Sequence, residues 1–142
     1  MSILSGEQVA EMWPIIKAAL KASAAPTADT NEAKLTNIYR SLLTGRAICF
    51  MTGNKRKPRT VIVVTIGIEG ISLTKNLLIY CAHGFEREKS KQYIDMIEGI
   101  KNYAKSKGCD NILCYVWNDK MKELLEKYGA ECNYTLAVFS LN

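Results

Sequence analysis

The stretch Lys101-Asn-Tyr-Ala-Lys-Ser-Lys-Gly-Cys-Asp-Asn-Ile-Leu-Cys-Tyr-Val-Trp-Asn-Asp-Lys-Met-Lys-Glu-Leu-Leu-Glu-Lys-Tyr-Gly-Ala130 decides the fold. Gly108 is placed to end a helix, Asn111 to Trp117 reads as a strand, and Asn118 or Asp119 can cap a short helix through Tyr128 that Gly129 ends. Tyr134 to Leu141 then alternates as a closing strand. Trp117, at the end of its strand, is expected to pack in the core.

Upstream, a helix from about Lys89 to Lys107 turns Tyr93, Ile97, Ile100 and Ala104 to one face. Before it come three consecutive strand-like segments. Ala47 to Thr52 and Arg59 to Ile68 are joined by a turn over Gly53-Asn-Lys-Arg-Lys-Pro, and Ser72 to Ala82 follows a turn at Glu69-Gly70. Residues 6 to 22 place Val9, Met12, Trp13, Ile16, Ala19 and Leu20 at helical spacing behind Ser5, a capping residue. Pro26 breaks that helix, and a second runs from about Asn31 to Leu43, closed by Gly45. The order α-α-β-β-β-α-β-α-β predicts an α+β fold, a mixed sheet with helices over its faces.

The chain has 142 residues, 48% of them hydrophobic and 23% charged, which suits one domain over residues 1–142 with a real core. No uninterrupted apolar run is long enough to span a bilayer, and the N-terminus lacks a basic stretch followed by an apolar one, so the expectation is a protein that stays where it is made. Five cysteines without Cys-x-x-Cys spacing read as reduced, buried thiols. One histidine and no paired ligands argue against a metal site. The excess of basic charge lies between Gly45 and Ile68, where Arg46, Lys55, Arg56, Lys57 and Arg59 meet no acidic residue. Lys55, Arg56, Lys57 and Arg59 form a basic patch on an exposed turn, suited to an acidic surface or nucleic acid, or to water alone.

The order of elements, and the Lys101–Ala130 stretch above all, resembles the GCN5-related N-acetyltransferase (GNAT) family over nearly the whole chain. The family implies acylation of an amine by acetyl-coenzyme A (acetyl-CoA). Leu4-Ser-Gly-Glu-Gln-Val-Ala-Glu-Met-Trp-Pro and Asn76-Leu-Leu-Ile-Tyr-Cys-Ala-His-Gly-Phe bring it closest to the acetyltransferase-like proteins encoded among the structural genes of tailed bacteriophages. That likeness implies protein partners in an assembly, and the host cytoplasm or the virion as location.

Matched to the family's pyrophosphate loop, Arg87-Glu-Lys-Ser-Lys-Gln keeps the first position at Arg87 but carries Ser90 and Gln92 where small residues should stand. Lys89 and Lys91 attract an anion there, while Glu86 and Glu88 repel one. Leu125 occupies the place of the tyrosine that protonates the departing thiolate, and Tyr128 lies on another side of the helix. The resemblance thus assigns Arg87, Lys89, Ser90 and Lys91 to the coenzyme phosphates, the strand residues Leu78 and Tyr80 to its chain, and Asn118 to the later motif. It names no catalytic residue. Glu69, His83 and Glu86 are the candidate bases, and Cys81 with His83 a candidate nucleophile pair. These departures make a non-catalytic or weakly catalytic GNAT-like binding module, a virion-associated structural protein, the first expectation, with no cofactor. A divergent N-acyltransferase dependent on acetyl-CoA is the alternative.

Overall fold

The computed structural model describes every residue except Thr27, Trp117 and Asn142. Its elements run β1 (Ser2–Ile3), α1 (Gly6–Ser23), α2 (Glu32–Leu43), β2 (Ala47–Gly53), β3 (Pro58–Ile68), β4 (Lys75–Gly84), α3 (Ser90–Ser106), β5 (Asn111–Cys114) and α4 (Asp119–Lys127). The five strands form one sheet in the order β1-β2-β3-β4-β5. Neighbours are antiparallel except β4 and β5, which are parallel and joined across the sheet by α3.

Alternation along the strands divides the core in two. Cys49 and Met51 of β2, Val61 and Val63 of β3 and Cys81 of β4 face α1 and α2, meeting Val9, Met12, Ile16, Leu20 and Leu35. Phe50, Ile62, Val64 and Leu77 point the other way, onto Met96, Ile100 and Ala104 of α3. Ile16 and Leu20 are fully buried, each stabilising the fold by about 1.5–3 kcal/mol relative to exposure. Trp13 packs on the first cluster, its ring 4.7 Å from that of Tyr39.

The helices start where their caps put them. Ser5 and Gln8 form a reciprocal capping box at α1, and the Asn31 side chain accepts from Lys34 N–H at 3.0 Å at α2. Asn118 does the same for α4 with Met121 N–H at 2.8 Å.

Two expectations are corrected. Strand β5 ends at Cys114, three residues short of Trp117, which lies outside the described residues together with its expected core packing. The closing strand at 134–141 is absent, for residues 131–141 have no regular structure and make no backbone hydrogen bond among the described residues. Alternation supplies a strand's two faces but not a partner edge, and the segment lies paired with none. Strand β1 is an addition, a two-residue pairing of Ser2 with Met51 and Ile3 with Phe50.

Candidate functional site: the parting of β4 and β5

Strands β4 and β5 pair only from Asn76 opposite Asn111 to Ile79 opposite Cys114. Just beyond, β4 is irregular: Val63 of β3 faces Cys81 but Val64 faces Ile79, so Tyr80 is an extra residue, a β-bulge. From Tyr80 to Gly84 β4 continues against β3 while β5 has ended. The vacated edge is partly taken by the link after α1, where Ala25 N–H donates to the Tyr80 carbonyl at 2.7 Å and Ala24 bridges Cys81. Leu78 sits inside the paired segment, opposite Leu113.

Helix α3 begins six residues after β4, and the loop leading into it is held at the end of the β2–β3 hairpin, where Glu88 meets Thr52, Thr60 and Arg59. Arg87, Lys89 and Lys91 are exposed there and in no ion pair among the described residues. The N–H groups of Ser90 and Lys91 take no protein partner among the described residues, and the helix dipole adds to their pull on an anion. Lys89 N–H is already satisfied, donating to Oε1 of Gln92 at 2.7 Å. The departure at Gln92 thus has a structural content: its side chain occupies one of the donors that a phosphate would use. Asn118, assigned to the same ligand by the resemblance, spends its side chain on the α4 cap.

Glu88 was expected to repel an anion from this end. The structure turns it inward, with its side chain 1% exposed. Its carboxylate accepts from Thr52 Oγ1, from Thr60 Oγ1 at 3.0 Å and from Arg59 Nε at 3.3 Å. Burial pushes this carboxyl upward, but the two hydroxyls and the guanidinium outweigh that and hold it below the ordinary range. Nothing in the sequence distinguishes Glu88 from Glu86 as the buried one except its place behind the Thr52 and Thr60 pair, which only the hairpin register brings together.

The other candidates make contacts of their own. The basic patch is not four free cations, because acids from distant segments reach it: Lys55 meets Glu11 at 2.6 Å, Lys57 meets Glu86 at 3.5 Å, and Arg59 meets Glu88. Arg56 has no such partner among the described residues. Glu69 closes the β3–β4 turn, and hydrogen bonds from the Ser72 hydroxyl, Ser72 N–H and Ile71 N–H hold its carboxyl low. Cys81 is no partner for His83: its thiol donates to the Ala19 carbonyl at 3.3 Å, and burial pushes it up to about 12. His83 Nδ1 instead lies 2.7 Å from Ser23 Oγ, with Phe85 edge-on to its ring. All five thiols are free, but only Cys49 and Cys81 are buried, since Cys109, Cys114 and Cys132 keep some exposure. Among the described residues no cluster of His, Cys, Asp and Glu is placed to hold a metal, and no helix is long and apolar enough to cross a membrane.

Two open cavities lie on the sheet, and the second reaches the bulge. One of about 570 Å³ lies between the start of α3 and the β2 edge, lined by Thr52, Arg59, Gln92 and Asp95 among others. The other, of about 400 Å³, lies on the opposite face under α2, with Ile38, Arg46, Val63 and the bulge residue Tyr80 in its wall.

No protein-family model and no curated protein matches the sequence. Solved structures do. A structure with acetyl-CoA described as a predicted acetyltransferase, from Clostridium acetobutylicum, superposes with a TM-score of 0.74 at 12% identity, covering 99% of this chain and 94% of its own. Glucosamine-6-phosphate N-acetyltransferase from Arabidopsis thaliana gives 0.70 at 13% identity, covering 99% and 98%. Ribosomal-protein-alanine N-acetyltransferase from Brucella melitensis biovar Abortus gives 0.68 at 10%, again covering 99% and 98%. All three are described as acetyltransferases, and none of these descriptions names a phage or virion component. The five-stranded mixed sheet with its four helices has the fold of the GNAT acyl-CoA N-acyltransferases.

Proposed function

We propose that the chain is a divergent N-acyltransferase that takes its acyl group from acetyl-CoA. The observation that carries this reading is the parting of β4 from β5 at the Tyr80 bulge, which leaves β4 from Tyr80 to Gly84 without β5 as a neighbour. The groups at the amino end of α3 fit an anion: two uncommitted N–H donors at Ser90 and Lys91, and the unpaired side chains of Arg87, Lys89 and Lys91. They would hold the coenzyme phosphates, and the β4 edge that β5 vacates beyond Ile79, once the Ala24–Ala25 link gives way, would meet its amide chain. When bound, acetyl-CoA supplies a thioester carbonyl for attack by an amine. The chain's own contribution is orientation and exclusion of water, since Leu125 has no proton to give the departing sulfur.

A second reading, a non-catalytic binding or assembly module on the same fold, is favoured by the hydrogen bonds at Gln92 and Ala25, which use backbone groups a coenzyme would want. A virion role within that reading rests on the sequence likeness alone. Calorimetric titration with acetyl-CoA at low salt, with coenzyme A as control, separates the two. Micromolar binding, lost about tenfold or more when Arg87, Lys89 and Lys91 become Ala, supports the acyltransferase. No heat, with no thermal stabilisation at millimolar ligand, overturns it in favour of the module.

A further inference from the structure

We infer that the turn between β3 and β4 is a docking tip that sets its aliphatic side chains into the surface of an anionic lipid bilayer. Docking of this kind is compatible with either reading of the site. The turn and its flanks read Ile68-Glu-Gly-Ile-Ser-Leu-Thr-Lys75. Ile71 is 94% exposed, Leu73 72% and Ile68 63%, so three large aliphatic side chains meet water at one tip, a concentration that marks an interaction surface. Leu73 also holds φ at +59°, in the left-handed region where glycine would be cheaper. The fold thus keeps a strained leucine whose side chain it does not cover.

The register makes the tip project. Strand β2 pairs with β3 only as far as Ala47 opposite Thr65, while Ile66, Gly67 and Ile68 run on against Leu77, Asn76 and Lys75. Three further residues carry the turn about 10 Å past the start of β2, the depth at which apolar side chains reach the boundary of headgroups and acyl chains. The turn is also built to leave water. Glu69 N–H donates to the Thr74 carbonyl at 2.8 Å and Leu73 N–H to the Glu69 carbonyl at 2.9 Å. Ile71 N–H and Ser72 N–H donate to the Glu69 carboxylate at 3.1 and 2.7 Å, and Thr74 N–H to Ser72 Oγ at 3.3 Å. Of the turn residues 69–74 only Gly70 has an N–H without a protein partner among the described residues. A backbone whose donors are satisfied internally enters an apolar medium at small cost.

The flanks carry the complementary charge. The Lys75 ammonium donates to the Lys107 carbonyl, which brings the end of α3, with Lys105 and Lys107, beside the start of β4. Arg46 stands at the start of β2, its carbonyl accepting from Thr65 Oγ1 at 3.1 Å. Arg46, Lys105 and Lys107 are exposed and in no ion pair among the described residues. The acids of the turn and of the loop after α3 are Glu69 and Asp110, and both spend their carboxylates on backbone N–H groups, Asp110 on that of Lys75 at 2.9 Å. Cations around a projecting aliphatic tip fit anionic headgroups over acyl chains. A nucleic acid would meet the cations but give Ile71 and Leu73 nothing apolar to enter. The amino end of α3 lies at the other end of the sheet, with the β2–β3 turn, so a docked molecule keeps it open.

The test is co-sedimentation of the full chain with vesicles of equal parts phosphatidylglycerol and phosphatidylcholine, and with vesicles of phosphatidylcholine alone. The expected result is binding to the first, weaker by about tenfold or more on the second and falling with salt. Ile71→Ser and, separately, Leu73→Gly should each weaken it by roughly tenfold. Leu73→Gly relieves the backbone at that φ, so its loss of binding is not a loss of fold. Lys105→Gln together with Lys107→Gln should weaken binding by about tenfold or more, at roughly fivefold for each cation. Arg56→Gln, in the β2–β3 turn at the far end of β3, should leave it unchanged. No binding to either vesicle overturns the inference and leaves the tip to a protein partner. Binding that survives Ile71→Ser and Leu73→Gly, or that Arg56→Gln abolishes, overturns it equally, because charge alone or another face is then responsible.

Discussion

The Nε of Arg59 lies 3.3 Å from Oε2 of Glu88, so that the strand leaving the basic turn and the loop leading into α3 are fastened at one buried carboxylate. Thr52 and Thr60, opposite one another in β2 and β3, complete its coordination. Glu88→Gln should cost about 2 kcal/mol at pH 7, because a half-buried guanidinium and two hydroxyl donors lose their charged acceptor. The sign of the pH dependence follows from a carboxyl held below its unfolded value of about 4.3. The wild-type advantage is complete above that value and disappears as pH falls through the lower folded one. Urea unfolding of both proteins at pH 7 and below pH 4 measures it, and a gap that widened on acidification would contradict the assignment.

Gln92 sets a contest between the fold and an anion. Replacing Ser90 and Gln92 by Gly releases Lys89 N–H and clears space at the start of α3. Acetyl-CoA affinity should then rise several-fold from a measurable baseline, while stability drops by about 1–2 kcal/mol through the lost cap and the glycines in the first turn. Titration and thermal melting of the same preparation give both numbers. Unchanged affinity alongside the stability loss would show that the cap does not obstruct the ligand.

Cysteine reactivity should divide along burial. Cys49 and Cys81 are both pushed up to about 12, Cys49 by burial and then by Cys81, Cys81 by burial alone, so neither offers thiolate at neutral pH. A time course of iodoacetamide labelling at pH 7.5, followed by mass spectrometry of peptides, should find them modified only after unfolding. Early labelling of Cys81 would restore it as a nucleophile.

Two glycines should respond to alanine with opposite signs. At Gly53 φ is +83°, and an added Cβ would come within 2.3 Å of the Lys57 carbonyl, so Gly53→Ala should destabilise by at least about 2 kcal/mol. At Gly99, in the middle of α3, the added Cβ meets only the end of the exposed Met1 side chain, which can move aside. Gly99→Ala should therefore stabilise by about 0.5–1 kcal/mol. Denaturant midpoints of the two variants check the pair.

Most of the fold was legible because its signals are local. Periodicity gave α1 over residues 6–22 against the observed Gly6–Ser23, and turn chemistry gave the hairpin of β2 and β3. Strand β1 was not legible, since two residues carry no period and their pairing with β2 is a tertiary event. The segment 134–141 misled for the converse reason: its period is clear, but a strand needs an edge. Arg87, Lys89, Ser90 and Lys91 stand together at the start of α3 because they are neighbours in sequence. The inward turn of Glu88, the pairing of Lys55 with Glu11 and the contact of Ser23 with His83 join residues 29 to 60 positions apart, and no single-sequence pattern encodes such distances.

The hydrogen bond from Ala25 to Tyr80 makes the link between α1 and α2 a competitor for anything that would lie along β4. A ligand reaching that carbonyl must find the link detached, and its apparent dissociation constant is the intrinsic one divided by the fraction of molecules in that state. Occupancy of the groove and mobility of the link are thus two readings of one equilibrium, and a change in the link that never touches the ligand would still reset how tightly the ligand is held.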